Sequence, residues 1–146
     1  MKPKKTYILT NFYTGIFIVI ILFSLNSCAR NISFLNSSVV PAARGDVKYK
    51  KDKNDNWIIK VSISDLAESS RLQPAKQTYI VWMVAKEGTA KNAGQLNSSK
   101  GFMSKQLKAS LTTISTTKPT KVFITAEDDA RTQYPGPFII LSTERF

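Results

Sequence analysis

The stretch Trp57-Ile58-Ile59-Lys60-Val61-Ser62-Ile63-Ser64 decides the fold class. Trp57, Ile59, Val61 and Ile63 fall on one side of an extended chain, and Lys60, Ser62 and Ser64 fall on the other. A period of two, with branched and aromatic residues on one side, marks a strand with one face in a core and one in water. Immediately upstream, 46–51 reads as a partner strand, and the polar Asp52-Lys53-Asn54-Asp55-Asn56 segment reads as the loop of a hairpin.

Working outward, 79–85 is apolar on both faces, which predicts a central strand covered on each side. Further strands are expected at 93–96, 105–112, 121–127 and 138–143. Pro74, Pro119, Pro135 and Pro137 fall between these runs, where no ladder donor is needed. About seven short strands without a convincing helix predict an all-β chain, a small antiparallel immunoglobulin-like β-sandwich over 45–146. Trp57, Tyr79 and Trp82 are expected in the core between the sheets. Gly45 is expected to supply flexibility where the first strand begins.

The first 27 residues carry a different message. Lys2, Lys4 and Lys5 precede an apolar run at 16–25 broken only by Ser24, and Leu25-Asn26-Ser27 leads into Cys28, the single cysteine of the chain. This resembles a bacterial lipoprotein signal. The resemblance implies cleavage between Ser27 and Cys28 and fatty acylation of the Cys28 sulfur and the new amine. A transmembrane helix over 7–25 is the rival, and Thr10, Asn11 and Thr14 within it argue against a span. On this reading 1–27 is a removable signal, and 28–44, rich in Asn, Ser and Pro, is a lipidated, flexible tether. No acidic sorting run follows Cys28, so the expected location is the bacterial cell envelope, on the outer membrane facing the periplasm.

Cleavage removes 27 of 146 residues and leaves 119, enough for one domain with a core that needs no disulfide or metal. The formal charge of +11 falls to +8 once Lys2, Lys4 and Lys5 leave. Outside the cytoplasm such a surface meets anionic headgroups and acidic polymers, not nucleic acid. The chain has no histidine, so imidazole general bases, Ser-His-Asp triads and histidine zinc sites are excluded by composition.

The remaining motifs are weak as chemistry. Asp52, Asn54 and Asn56 match the start of a calcium loop, but Trp57 and Ile63 stand where glycine and glutamate are needed. Ser115-Thr116-Thr117-Lys118 has the spacing of a penicillin-binding serine and lysine without the companion motifs. Arg44-Gly45-Asp46 is a tripeptide short enough to recur by chance. Glu127-Asp128-Asp129 is the candidate acidic loop, three carboxylates at a strand end that could serve a hard cation or a small hydrolase.

Val40-Pro41-Ala42-Ala43-Arg44-Gly45, Leu72-Gln73-Pro74, Tyr79-Ile80-Val81-Trp82-Met83, Gly94-Gln95-Leu96, Phe123-Ile124-Thr125-Ala126-Glu127 and Pro135-Gly136-Pro137 together resemble the extracytoplasmic domain of anti-sigma-K-factor-like proteins. The resemblance implies a small envelope sandwich. Such factors also carry a cytoplasmic helical domain and a membrane span, which this sequence lacks, so sigma-factor binding is not carried over. The expected protein is a non-enzymatic envelope lipoprotein with no catalytic residues, metal or cofactor. Its expected partners are the membrane, through the lipid anchor, and an envelope protein or anionic polymer. Loops at one end of the sandwich, Lys86 to Asn92 and Glu127 to Gly136, are the expected binding surface.

Overall fold

A computed structural model describes residues 29–86, 88–100 and 107–146. Within them the chain forms β1 (Arg30–Ser33), β2 (Arg44–Lys51), β3 (Trp57–Leu66), β4 (Thr78–Val84), β5 (Ala90–Gln95), β6 (Asn97–Lys100), β7 (Leu107–Ser115), β8 (Lys121–Glu127) and β9 (Ile139–Ser142), with one 3-10 turn at Ser69–Arg71. Two sheets result, of order β1-β2-β3-β7-β6 and β5-β4-β8-β9, and every neighbouring pair is antiparallel. The protein is a β-sandwich.

The expected hairpin is present, with Lys51 opposite Trp57 and Val47 opposite Val61. Its loop is tied by Asp52, whose Oδ1 accepts the amides of Asn54 at 2.7 Å and Asn56 at 2.9 Å. That is an Asx turn, and the side chain that would have opened a calcium loop is spent on backbone donors. The core lies between the sheets. Val47, Tyr49, Ile59, Val61 and Ile63 face Tyr79, Val81, Val122, Ile124 and Ile140. Burial of these alternating side chains is the main stabilising term, at about 1.5–3 kcal/mol for each large aliphatic residue.

Four expectations need correction. Residues 29–44 do not hang free as a tether, because Arg30 to Ser33 pair with β2, and Val40 and Ala43 sit in the core. Asn and Ser hid a strand whose partner, not its own composition, fixes it. The chain also crosses from one sheet to the other at the buried Leu96, splitting the expected strand at 93–96 into the end of β5 and the start of β6. The expected strand at 105–112 is present as β7 from Leu107, and its first two residues lie outside the described residues.

Gly45 is not a flexible entrance. It pairs with Ile63 inside β2, where a Cβ would collide with the Ser62 carbonyl oxygen and the Ile63 Cδ1. Trp82 is fully buried, but not between the sheets. It lies with Ile80, Val84 and Phe123 in a second cluster on the outer face of the β5-β4-β8-β9 sheet, partly covered by Ala130. Trp57 is half-buried and packs against the edge of the core between the sheets, with its ring centroid 5.8 Å from that of Tyr49, and Tyr79 lies within that core.

Register defines two ends. One holds the β2–β3 hairpin, Ser115 opposite Trp57, and Lys121 opposite Val84. The segment joining β7 to β8 closes this end, since Thr120 donates to the Val84 carbonyl at 2.8 Å, Phe146 donates to Thr120 at 2.8 Å, and the Phe146 ring stacks on Tyr49 at 5.2 Å. The other end holds Leu66 opposite Leu107 and Thr78 opposite Glu127.

Candidate binding cleft

A cleft of about 350 Å³ opens at the end away from the hairpin, lined among others by Glu68, Ser69, Gln77, Tyr79, Gln95 and Leu107. Local geometry builds it. A register shift between Ile63 and Leu66, with Asp65 at φ 56°, forms a bulge before Leu66 pairs with Leu107, and residues 68–70 of the following segment line the cleft. Ser69 stitches that segment together. Its carbonyl accepts the Lys76 amide at 3.0 Å, and its hydroxyl donates to the Gln77 carbonyl at 2.9 Å. Gln77 in turn donates its amide to the Glu127 carbonyl at 3.0 Å, fixing the rim to β8.

The lining is mixed. Leu96 and Leu107 contribute hydrocarbon, and Glu68, Ser69, Gln77 and Gln95 contribute carboxylate, hydroxyl and amide groups. Such a lining offers hydrogen-bonding groups beside hydrocarbon, and the volume lies in the range of small-ligand sites. Tyr79 is only 5% exposed and donates its hydroxyl to the Ala67 carbonyl at 3.0 Å. Burial pushes its phenol up to about 12.

A titration test follows from that shift. The folded state keeps the phenol proton above pH 10, where an unfolded tyrosine loses it. The contribution is therefore intact below about pH 10 and declines as pH rises toward 12, by about 2–3 kcal/mol in all. Urea unfolding in alkaline buffers should show the fall, and Tyr79→Phe should flatten it. An unchanged slope in that variant would sink the assignment.

The carboxylates of the acidic loop do not converge. Glu127 is buried, and its Oε1 accepts from the Thr125 hydroxyl at 2.5 Å and the Gly136 amide at 2.7 Å. Asp128 pairs with Lys76 at 2.6 Å. Asp129 accepts the Arg131 amide at 2.9 Å. Among the described residues no group of three His, Cys, Asp or Glu side chains is placed to hold a metal. Each of the three acids has a different partner, and Asp128 ties its loop to Lys76.

Sequence reasoning missed what Glu127 does. Trp82 Nε1 donates to Thr125 Oγ1 at 2.7 Å, and the Thr125 hydroxyl in turn donates a hydrogen bond to Glu127, so indole, hydroxyl, carboxylate and the part-buried Gly136 amide form one hydrogen-bonded chain. The available signal was the alternation of Phe123, Thr125 and Glu127, which puts both polar residues on the face of Trp82. The chain clamps 128–137 over the outer sheet face, helped by Asn92, which donates to the carbonyls of Ala130 at 3.1 Å and Thr132 at 2.9 Å.

The two loops expected at one end arise from opposite ends. Val84, before Lys86, pairs with Lys121, whereas Glu127 pairs with Thr78. The second loop lies back along the sheet and does not crown the cleft. Ser115, from the serine-lysine motif, donates its hydroxyl to the Thr117 carbonyl at 2.8 Å, while Lys118 turns toward Tyr49, 6.0 Å from its ring centre. Cys28 and Ser27 lie outside the described residues. No helix among the described residues is long and apolar enough to cross a membrane. No family model, curated protein or solved structure matches the chain.

Proposed function

We propose that this protein is a lipid-anchored component of the bacterial cell envelope whose β-sandwich is a non-enzymatic binding or sensory module, with the cleft beside Tyr79 as its ligand site. The observation that carries this reading is a preformed cleft of about 350 Å³ with a mixed polar and apolar lining, whose Ser69–Gln77 wall is fixed by hydrogen bonds. Preorganisation of that kind lowers the ordering cost of binding. The signal-like segment before Cys28 supports the anchor, and the resemblance of the strand strings to anti-sigma-K-factor-like outer domains supports the sensory form of the role. The alternative, a small hydrolase or metal-binding protein using Glu127, Asp128 and Asp129, is disfavoured by the separate partners of those acids.

Two measurements test the proposal. Cys28→Ala should abolish incorporation of labelled palmitate and release the protein from membranes; labelling that persists would remove the anchor. Thermal unfolding of the purified protein against a panel of neutral sugars and amino acids should reveal a stabilising ligand, because binding to the folded state alone raises the midpoint. Gln95→Leu should erase that shift while leaving the unliganded midpoint near its original value. A shift that survives Gln95→Leu places the ligand elsewhere.

A further inference from the structure

Charge is distributed between the two ends of the sandwich very unevenly. At the cleft end Arg71 lies 3.3 Å from Glu68, Lys76 2.6 Å from Asp128 and Arg131 3.9 Å from Asp129, while Arg44, opposite Ser64, and Lys108, beside Leu107, have no carboxylate within ion-pair distance among the described residues. The hairpin end gathers more such residues. Lys50 and Lys53 project from β2 and its turn, Lys86 follows β4, and Lys118 and Lys121 flank the start of β8; all but the half-buried Lys121 are exposed. Among the described residues no carboxylate lies within ion-pair distance of any of the five. The acids there are Asp52, spent on two backbone amides, Asp55, paired with Lys51 at 2.6 Å, and Glu144. The hydrogen bond and charge of Lys51 hold the Asp55 carboxyl below its ordinary range.

The same end receives the chain from Cys28. Arg30 opens β1 opposite Tyr49, the ring over which Lys118 sits and against which Phe146 stacks. Only Ala29 separates Arg30 from Cys28, so two peptide units, at most about 7 Å, join the proposed lipid attachment point to a strand held in the sheet. A body tied that closely cannot stand off from the headgroups as a flexible tether would allow.

We infer that the hairpin end of the sandwich, carrying Lys50, Lys53, Lys86, Lys118 and Lys121, docks on anionic lipid headgroups and holds the cleft facing away from the membrane. The inference rests on the anchoring reading of Cys28. Basic residues near an anionic bilayer each contribute about fivefold to association, and the effect decays within a Debye length. The ten residues of β3 set the length of the body. At about 3.3 Å per residue the cleft lies roughly 30 Å from the surface, beyond the headgroup layer and open to the aqueous space. The lipid supplies retention, and the lysines supply orientation.

The test uses the membrane-purified protein reconstituted in vesicles of phosphatidylcholine alone or mixed with phosphatidylglycerol, so that the acyl anchor retains it on both. Lysine labelling by a water-soluble succinimidyl ester, read by mass spectrometry, should fall at least about fivefold at Lys50, Lys53, Lys86 and Lys118 on the anionic vesicles. Lys60, Lys76 and Lys108 should label alike on both, and high salt should restore the protected lysines. Equal labelling on both vesicles, or protection centred on Lys60 and Lys108, overturns the docking. Protection given by soluble polygalacturonate but not by vesicles also overturns it, in favour of an acidic polymer. The mass of the Cys28 peptide separates the two ideas: an acylated cysteine with a uniform footprint removes the docking alone, and an unmodified cysteine removes the anchor.

Discussion

Trp82→Ala should cost about 3–5 kcal/mol of unfolding free energy, a large share of the stability of any single domain. Trp82 is completely buried, stacks on Phe123 at 6.3 Å, and makes the first link of the chain through Thr125 to Glu127 and Gly136. Truncation opens a void on the outer sheet face and strips Thr125 of its donor. The damage should spread to 128–137, because the same chain clamps that segment to the sheet. Hydrogen exchange should therefore show the Gly136 amide losing protection well before the amides of β3. Trp82→Phe refines the prediction, since it keeps most of the ring and loses the indole N–H, and about 1–2 kcal/mol should go. Thr125→Val leaves the indole N–H without a partner and the carboxylate with only the Gly136 amide, and should cost about 1–3 kcal/mol. If Trp82→Ala unfolded in urea at the midpoint of the parent protein, the outer cluster would contribute nothing.

Gly45→Ala should destabilise the sandwich by about 1–3 kcal/mol, although one methyl group is the only addition. The new Cβ meets the Ser62 carbonyl oxygen and lies 2.5 Å from Ile63 Cδ1, and one of these neighbours is backbone in the ladder between β2 and β3. A side chain can rotate away, but a paired carbonyl cannot move without breaking its strand. Gly88→Ala provides the control. That glycine has open space around its Cβ position, so its cost reflects only φ of 82°. Urea midpoints for the two variants discriminate packing from backbone strain. Ile63→Ala placed on Gly45→Ala should recover little, because the Ser62 contact persists; full recovery would assign the clash to the isoleucine instead.

The hairpin, the central strand 78–84 and the strand 121–127 were legible because each is written in neighbouring residues. Trp57, Ile59, Val61 and Ile63 alternate with polar partners, and alternation needs no knowledge of the rest of the chain. The candidate site was far less legible. Glu68, Ser69, Tyr79, Gln95 and Leu107 are brought together from separate elements, and nothing in any one of those segments marks it as part of a cleft. The acidic loop was conspicuous as Glu127-Asp128-Asp129, yet consecutive residues of an extended chain point in opposing directions, and the three carboxylates acquired different partners.

The sequence alone determined that this is an all-strand body with a hairpin at its centre, preceded by a positive, apolar segment ending at one cysteine. Those properties follow from composition and short-range periodicity. Tertiary structure decided which face of β4 each aromatic took, that residues 30–33 join a sheet, and that five lysines without ion-pair partners gather at the end where β1 begins, while three of the basic residues at the cleft end are paired with acids. The physical reason is reach. Strand identity is a property of a few adjacent side chains, whereas burial, ion pairing and the sharing of one end by five lysines depend on residues tens of positions apart being brought to the same place.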